Sequence, residues 1–331
     1  MRLTRRKVGF YSLLTTPFIF IVIEYELGII SGQLCSLLSI LYFISECIMV
    51  VLARKYRFLL LFLLFFMATP SLAIRPKIGL ALGGGGAKGA ATIGALKIIE
   101  DAGIKIDFIA GTSIGAVIGG LYASGFSLDE IEKFLLSINW MNALDINQIK
   151  SELRKQLITH DYEYIEDTTI PFRCVAVDIA NMKEYVLSNG ILWKAVLASM
   201  SVPIVYPWVA WKNKALNDGG LLNNLPVDVV KAMGADIVIA IDLQQNEDDG
   251  LYIPSVGLGG IFDMVADWSV KRPDKIKYKE NVKAADIYIH PSLTGYTAAS
   301  FGRTNCEIMK IKGEEEAKKH WNELIKLKQN Y

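Results

Sequence analysis

The sequence predicts an α/β domain on a mainly parallel central sheet, preceded by hydrophobic N-terminal segments. Three observations carry this. Residues 77–82 (KIGLAL) form a short apolar run that breaks into Gly83-Gly84-Gly85-Gly86-Ala87-Lys88-Gly89 ahead of a helical pattern. Residues 106–110 repeat the arrangement, breaking into Gly111-Thr112-Ser113-Ile114-Gly115 before a second helical pattern of small residues. Two strand–turn–helix units in succession wind a parallel sheet and bring both turns to its carboxyl edge. The third observation is a contrast along the chain: residues 1–73 hold the apolar excess, with seven Lys/Arg against three Asp/Glu, whereas residues 74–331 hold 28 against 31.

At the start, residues 1–7 carry four basic side chains, and uncharged runs follow over 8–23 and 27–45. Arg54-Lys55-Tyr56-Arg57 then precedes ten apolar residues, 58–67, and Ser71-Leu72-Ala73. A basic patch, a ten-residue apolar stretch and a small-x-small end describe a signal peptide. Two arrangements fit. Spans near 8–30 and 33–52 can precede an uncleaved third, or translation can begin at Met49 and make 49–73 a signal peptide. The positive-inside rule in the first and the signal peptide in the second both export everything after Ala73. A plain hydrophobic anchor that leaves the domain in the cytoplasm is the alternative. The expected organisation is a hydrophobic region over 1–73, a hydrolase domain over 74–295 and a helical tail over 296–331.

The first glycine loop admits three uses. Gly84-x-Gly86-x-x-Gly89 satisfies the dinucleotide fingerprint, with Asp107 about where a ribose-binding acid would sit. A P-loop is excluded, because Gly89 follows Lys88 where Ser or Thr is needed. Bare backbone N–H groups on a strand-to-helix turn also suit an oxyanion hole. The second unit favours that last use. Gly111-Thr112-Ser113-Ile114-Gly115 is a G-x-S-x-G elbow, in which a strained turn presents Ser at a helix N-terminus. A dinucleotide fold has no need of it.

Further along, a helix over 114–124 ends at Gly125, and Ser127 opens a capping box. Residues 139–170 read as irregular, 172–177 and 183–187 as strands around a turn at Asp178, and 191–200 as a helix broken by Ser201-Val202-Pro203. Tyr206, Trp208 and Trp211 suit either core packing or contact with lipid. Residues 212–214 form a turn before Asp218-Gly219-Gly220. Taken alone that is a hairpin signal, but Pro226 starts a helix over 227–233 and 235–243 reads as a buried strand. Asp218 is therefore expected to top another strand-to-helix crossing at the same edge. Residues 247–250 read as a solvated acidic loop, 258–268 as core or as an interfacial lid, 285–290 as a strand ending in His290, and 310–329 as a terminal amphipathic helix.

Several functions are disfavoured. No basic stripe interleaved with aromatics supports nucleic-acid binding. The cysteines, Cys35, Cys47, Cys174 and Cys306, show no metal-binding or disulfide spacing, and the three histidines are far apart in sequence.

The glycine run 83–89, the elbow 111–115 and Asp218-Gly219-Gly220-Leu221-Leu222-Asn223-Asn224-Leu225-Pro226, in this order, resemble the patatin-like phospholipases, in a bacterial branch similar to the catalytic domain of neuropathy target esterase. The resemblance runs from Ile78 to Leu243 and more loosely to Pro291. It implies a three-layer α/β/α fold and a Ser–Asp dyad without a catalytic histidine. Ser113 takes the place of the nucleophile and Asp218 that of its base. Gly84, Gly85 and Gly86 take the place of the oxyanion donors. Lys88 stands where many relatives carry Arg, Gly111 and Gly115 frame the elbow, and Gly219 and Gly220 support the catalytic Asp. The implied activity is calcium-independent hydrolysis of acyl esters in phospholipids or lysophospholipids at a membrane, with no metal or cofactor. Two rivals stand beside it: an esterase with a Ser113–Asp218–His290 triad, and a catalytically idle lipid-binding protein. A carboxylate at its reference pKa of ~3.9 is a weak base for a hydroxyl, so a dyad would lean on electrostatic stabilisation.

Overall fold

The computed structural model describes residues 36–45, 47–48, 56, 75–138, 146–203, 205–245 and 275–329. The chain divides into two units, Met1–Ile74 and Arg75–Tyr331. In the first, residues 36–45 and 47–48 are helical. The expected span near 8–30 lies outside the described residues, as does the signal-like stretch 49–73 apart from Tyr56. Among the described residues, no helix is long and apolar enough to cross a membrane.

In the second unit an eight-stranded sheet is described. Its strands are β1 (Ile78–Leu82), β2 (Phe108–Thr112), β3 (Phe172–Asp178), β4 (Lys183–Leu187), β5 (Val209–Trp211), β6 (Lys214–Asp218), β7 (Ile237–Ile241) and β8 (Ile287–Ile289). β3, β2, β1, β7 and β8 are parallel neighbours in that order. The parallel strands are continuous apolar runs because both faces are covered. Side chains alternate across the sheet: Leu80 and Leu82 join one core cluster, whereas Ala81 joins the other. The first face is covered by α1 (Gly89–Asp101), α2 (Ile114–Ala123), α3 (Leu128–Ser137), α4 (Ile146–Thr159), α5 (Leu192–Met200) and α8 (Arg303–Lys319). The second is covered by α6 (Val227–Ala232) and α7 (Lys275–Ala284), through Val227, Val230, Tyr278 and Val282. These are the three layers. A short ninth helix, α9 (Trp321–Gln329), follows α8.

Local signals account for most boundaries. Ser127 caps α3 with a complete capping box to Glu130, and Gly103, Gly125 and Gly234 stand past helix ends at positive φ. α4 falls where the sequence reads as irregular. Its buried stripe is one residue wide (Ile149, Leu153 and Leu157), and Ile158 lies off it and exposed among polar residues, so the periodicity is faint. The tail is two helices rather than one. α8 lies against α1 through two glycines: a Cβ at Gly94 would strike the Lys310 backbone, and one at Gly313 the Ala91 backbone.

β6 ends at Asp218 and leads to the helix α6, as expected of a strand-to-helix crossing. It runs antiparallel to β3 and is hairpinned to β5. Its last residue therefore reaches the middle of the sheet, not the tip of a parallel strand. β4 occupies one edge of β3 over Cys174–Asp178, so β2 and β6 must share the other. They meet there end to end: Thr112 pairs with Val175, and Asp218 pairs with the next residue, Ala176.

Candidate active site

The head-on meeting of β2 and β6 brings Ser113 and Asp218 together. Ser113 follows Thr112 directly, and a chain that leaves β2 toward β6 must turn at once. It does so at Ser113, with φ 55° and ψ −125°, a conformation that costs a non-glycine residue about 1–3 kcal/mol. The flanking glycines make the turn possible. A Cβ at Gly111 would collide with the Gly115 carbonyl, and one at Gly115 with the carbonyls of Leu82 and Gly83. Half-buried Ser113 becomes the N-cap of α2: its carbonyl accepts from the Ala116 and Val117 N–H groups, but its side chain makes no capping bond.

Asp218 closes β6 and is 2% exposed. Its Oδ1 accepts from the Gly220 N–H at 2.7 Å, whereas Oδ2 is buried and carries no hydrogen bond in the structure. Burial pushes the carboxyl up to about 6, opposed by the nearby Ser113 hydroxyl and by the Gly220 N–H. The hydroxyl is thus close enough to act on the carboxylate, although no hydrogen bond joins them. Such pairs tighten when substrate binds. Gly219 lets β6 turn away beneath β3, since a Cβ there would strike the Val175 carbonyl. At Gly220 a Cβ would press on Asp218 Oδ1 at 3.0 Å and on Asn224 Oδ1 at 2.9 Å.

The glycine loop leaves β1 beside the elbow. A Cβ at Gly84 would stand 3.0 Å from that of Ser113. The expectation that Gly84 donates to an oxyanion is corrected here. Its N–H already bonds the Asn224 carbonyl at 3.2 Å, and Gly83 bonds Ile241 at 2.9 Å, because the loop first continues the pairing with its neighbours. Among the described residues, Gly85 and Gly86 have N–H groups without a hydrogen-bond partner. Gly86 has φ +58° and abuts Ala298, so the segment before α8 lies over the loop. Lys88 ends the short 3-10 turn Gly86–Lys88 and is 9% exposed, not a solvated lysine.

Two alternatives that the sequence left open are not assembled. His290 follows β8, three strands from β2, or about 14 Å at ~4.8 Å per strand. Its Nε2 contacts the Gln244 carbonyl, so the Ser113–Asp218–His290 triad does not form. Asp107 stands before β2, at the edge opposite the glycine loop. There it accepts from the Ile78 N–H at 2.8 Å and pairs with Arg75. It is too far from the loop to bind a ribose whose phosphates sat there. Of the three aromatics, Tyr206 and Trp211 are buried and Trp208 is 55% exposed. Residues 247–250 and 258–268 lie outside the described residues.

Sequence reasoning missed the groups that brace the pair. Ser199, fully buried in the last turn of α5, accepts from the Ser113 N–H at 3.1 Å and donates to the Val175 carbonyl at 2.6 Å. Two residues on, the Ser201 carbonyl accepts from the Asp218 N–H at 2.9 Å and from Asn217 Nδ2 at 2.7 Å. The available signal was a polar Ser-x-Ser at the end of an apolar helix. Asn224 Nδ2 reaches the Gly84 carbonyl at 3.3 Å, tying the Asp218 loop to the glycine loop.

Several known proteins resemble this chain. Residues 80–231 match the patatin-like phospholipase family. Lysophospholipase nte1 of Aspergillus fumigatus is 30% identical over 259 residues, 68% of this chain and 17% of that protein. Neuropathy target esterase sws of Drosophila melanogaster is 34% identical over 259 residues, again 68% of this chain and 18% of that one. The chain therefore spans less than a fifth of the length of these relatives. Among solved structures, VipD from Legionella pneumophila superposes with a TM-score of 0.49 at 13% identity, covering 75% of this chain and 67% of that one. Residues 80–231 of this chain are a patatin-like phospholipase domain.

Proposed function

We propose that the chain is a serine lipid acyl hydrolase that cleaves acyl esters of phospholipids or lysophospholipids through Ser113 and Asp218. One observation supports this above the rest: a strained serine at a helix N-terminus faces a buried carboxylate whose pKa burial has raised to about 6. That shift answers the weakness of an ordinary carboxylate as a base. At neutral pH the group is still ionised, yet it holds a proton far better than at 3.8.

Asp218 takes the hydroxyl proton as Ser113 Oγ attacks the ester carbonyl. The developing oxyanion is met by the Gly85 and Gly86 N–H groups and by the N-terminus of α2. Collapse expels the alcohol, which leaves with the proton held by Asp218. Water then attacks the acyl-enzyme, Asp218 again serving as base, and fatty acid is released. Gly111, Gly115, Gly219 and Gly220 let the backbones approach closely, and Lys88 adds positive charge beside the loop. The chemistry calls for no calcium.

Membrane association, with the domain exported, belongs to the same proposal. It rests on the basic and apolar pattern of residues 1–73. Placement in a bacterial branch is likewise proposed; the relatives reported above are fungal and insect. Labelling with a fluorophosphonate, followed by fatty-acid release from defined phospholipids and lysophospholipids, tests the activity. Ser113→Ala should abolish both, and a labelled Ser113→Ala protein would overturn the nucleophile assignment. An N-terminus at Ile74 in the mature protein would show that the signal-like stretch is cleaved.

A further inference from the structure

We infer that Ser199 is a positioning residue for the acyl hydrolase chemistry: the end of α5 clasps both halves of the dyad and sets their separation. The inference rests on the Ser113–Asp218 reading above and adds a residue to it.

The two candidate reacting residues belong to strands that meet end to end without bonding to each other. Pairing with β3 sets the two strand ends opposite neighbouring residues, Val175 and Ala176, but leaves the N–H groups of Ser113 and Asp218 to be received by another element. Among the described residues the end of α5 receives both of these N–H groups, and Thr112 Oγ1 adds a bond from the end of β2 to the Asn223 carbonyl beyond Asp218 at 2.8 Å. Ser199 Oγ receives the Ser113 N–H, and the Ser201 carbonyl receives the Asp218 N–H. The two acceptors are two residues apart in one chain, so their spacing is set by covalent geometry and helix pitch. The Ser199 hydroxyl also donates to Val175, the residue of β3 that pairs with Thr112 and lies against Gly219. One hydroxyl thus ties the elbow, the central strand and the turn after Asp218 together.

The elbow needs such an anchor. Ser113 holds a φ that most residues avoid, and the strain persists only where the surroundings over-determine it. Its N–H is not used by α2, which begins at the next residue. In an apolar interior an N–H without an acceptor is costly, so the Ser199 hydroxyl satisfies that donor and holds the elbow in its strained form. Ser201 is held by its own hydroxyl, which donates to the Leu197 carbonyl at 2.6 Å, and by Asn217. The clasp is therefore rigid at both ends.

Displacing the nucleophile by a fraction of an ångström slows an attack that depends on alignment, and a loss confined to alignment falls on kcat rather than on KM. The test uses the full chain in detergent. Ser199→Ala should lower kcat per fluorophosphonate-titrated site by about 10- to 100-fold, with KM within about twofold of wild type. Ser199→Cys keeps the volume while weakening the hydrogen bonds, and should fall with the alanine variant. Ser199→Thr retains a hydroxyl and should recover most of the rate. Ser124→Ala is the control: it removes a buried hydroxyl bond of similar length, 2.8 Å to Gly120, at the far end of α2. It should leave kcat per titrated site unchanged. A Ser199→Cys or Ser199→Ala protein with the same kcat per site as Ser124→Ala would overturn the clasp. So would a cysteine variant that matched the threonine one, since volume alone would then suffice. If the wild-type protein is not labelled at Ser113, the acyl hydrolase reading falls, and the clasp falls with it.

Discussion

Replacing Asp218 with Asn should remove activity and, at neutral pH, make the protein more stable. Burial holds the carboxyl at about 6, against an ordinary value of 3.8. At ~1.4 kcal/mol per unit, keeping it ionised in the fold costs about 3 kcal/mol at pH 8. The sign follows from proton binding. The folded state holds the proton more tightly than the unfolded chain does. Asp218 therefore costs nothing well below pH 3.8, and the cost grows as pH rises through 6. Asparagine has no charge to bury and keeps the oxygen that accepts from Gly220. Its amide replaces an Oδ2 that has no hydrogen bond, and any penalty for that group is the same at every pH. The difference between conditions is thus the quantity to read. Relative to wild type, Asp218→Asn should gain about 3 kcal/mol at pH 8 and less than about 1 kcal/mol at pH 4. For a domain of this size the pH 8 gain is a Tm rise of about 6–12 °C. Thermal melts of both full-length proteins in detergent, at half-unit steps from pH 4 to 8, measure it. A Tm difference that stays flat with pH would refute the argument, because it would mean that Asp218 is not a buried, reluctantly ionised carboxylate.

Three more outcomes follow from the same site. With Asp218 as base, kcat/KM should fall about tenfold per unit below pH 6, and a profile flat to pH 4.5 would exclude it. His290→Ala should keep hydrolysis within about threefold of wild type, since His290 is three strands from the elbow and bonded to Gln244; a loss as complete as in Asp218→Ala, measured by fatty-acid release, would sink the dyad. Gly86→Ala forces a side chain against Ala298 at φ +58° and displaces a candidate oxyanion donor. It should cost about 10²–10³ in kcat while Ser113 still labels slowly.

Much of this architecture can be read from local pattern. Two apolar runs broken by glycines mark β1 and β2, Ser127 and Glu130 mark the start of α3, and Pro226 marks the start of α6. Each signal lies within a few residues, where steric and hydrogen-bonding rules act alone. The choice of Ser113 is legible for the same reason, because only glycines allow backbone to pass on either side of it. α4 is legible only faintly, since three buried residues in fourteen leave little periodicity.

What the sequence could not determine depends on which distant strands share an edge. The linear pattern puts Asp218 at a strand-to-helix crossing without giving the strand's direction; pairing shows β6 antiparallel, meeting β2 head-on along β3. From that meeting come the proximity of Asp218 to Ser113, its burial and its raised pKa. Gly84 reads like Gly85 and Gly86 in the sequence, but its N–H is taken by Asn224, 140 residues away. Ser199 looks like a helix residue of no consequence until the fold sets it under the elbow. Local chemistry determined which residues could do the work here. Which of them touch was decided by long-range pairing, because a carboxylate gains a base's pKa, and a backbone N–H becomes free or spent, only once the whole sheet has closed around it.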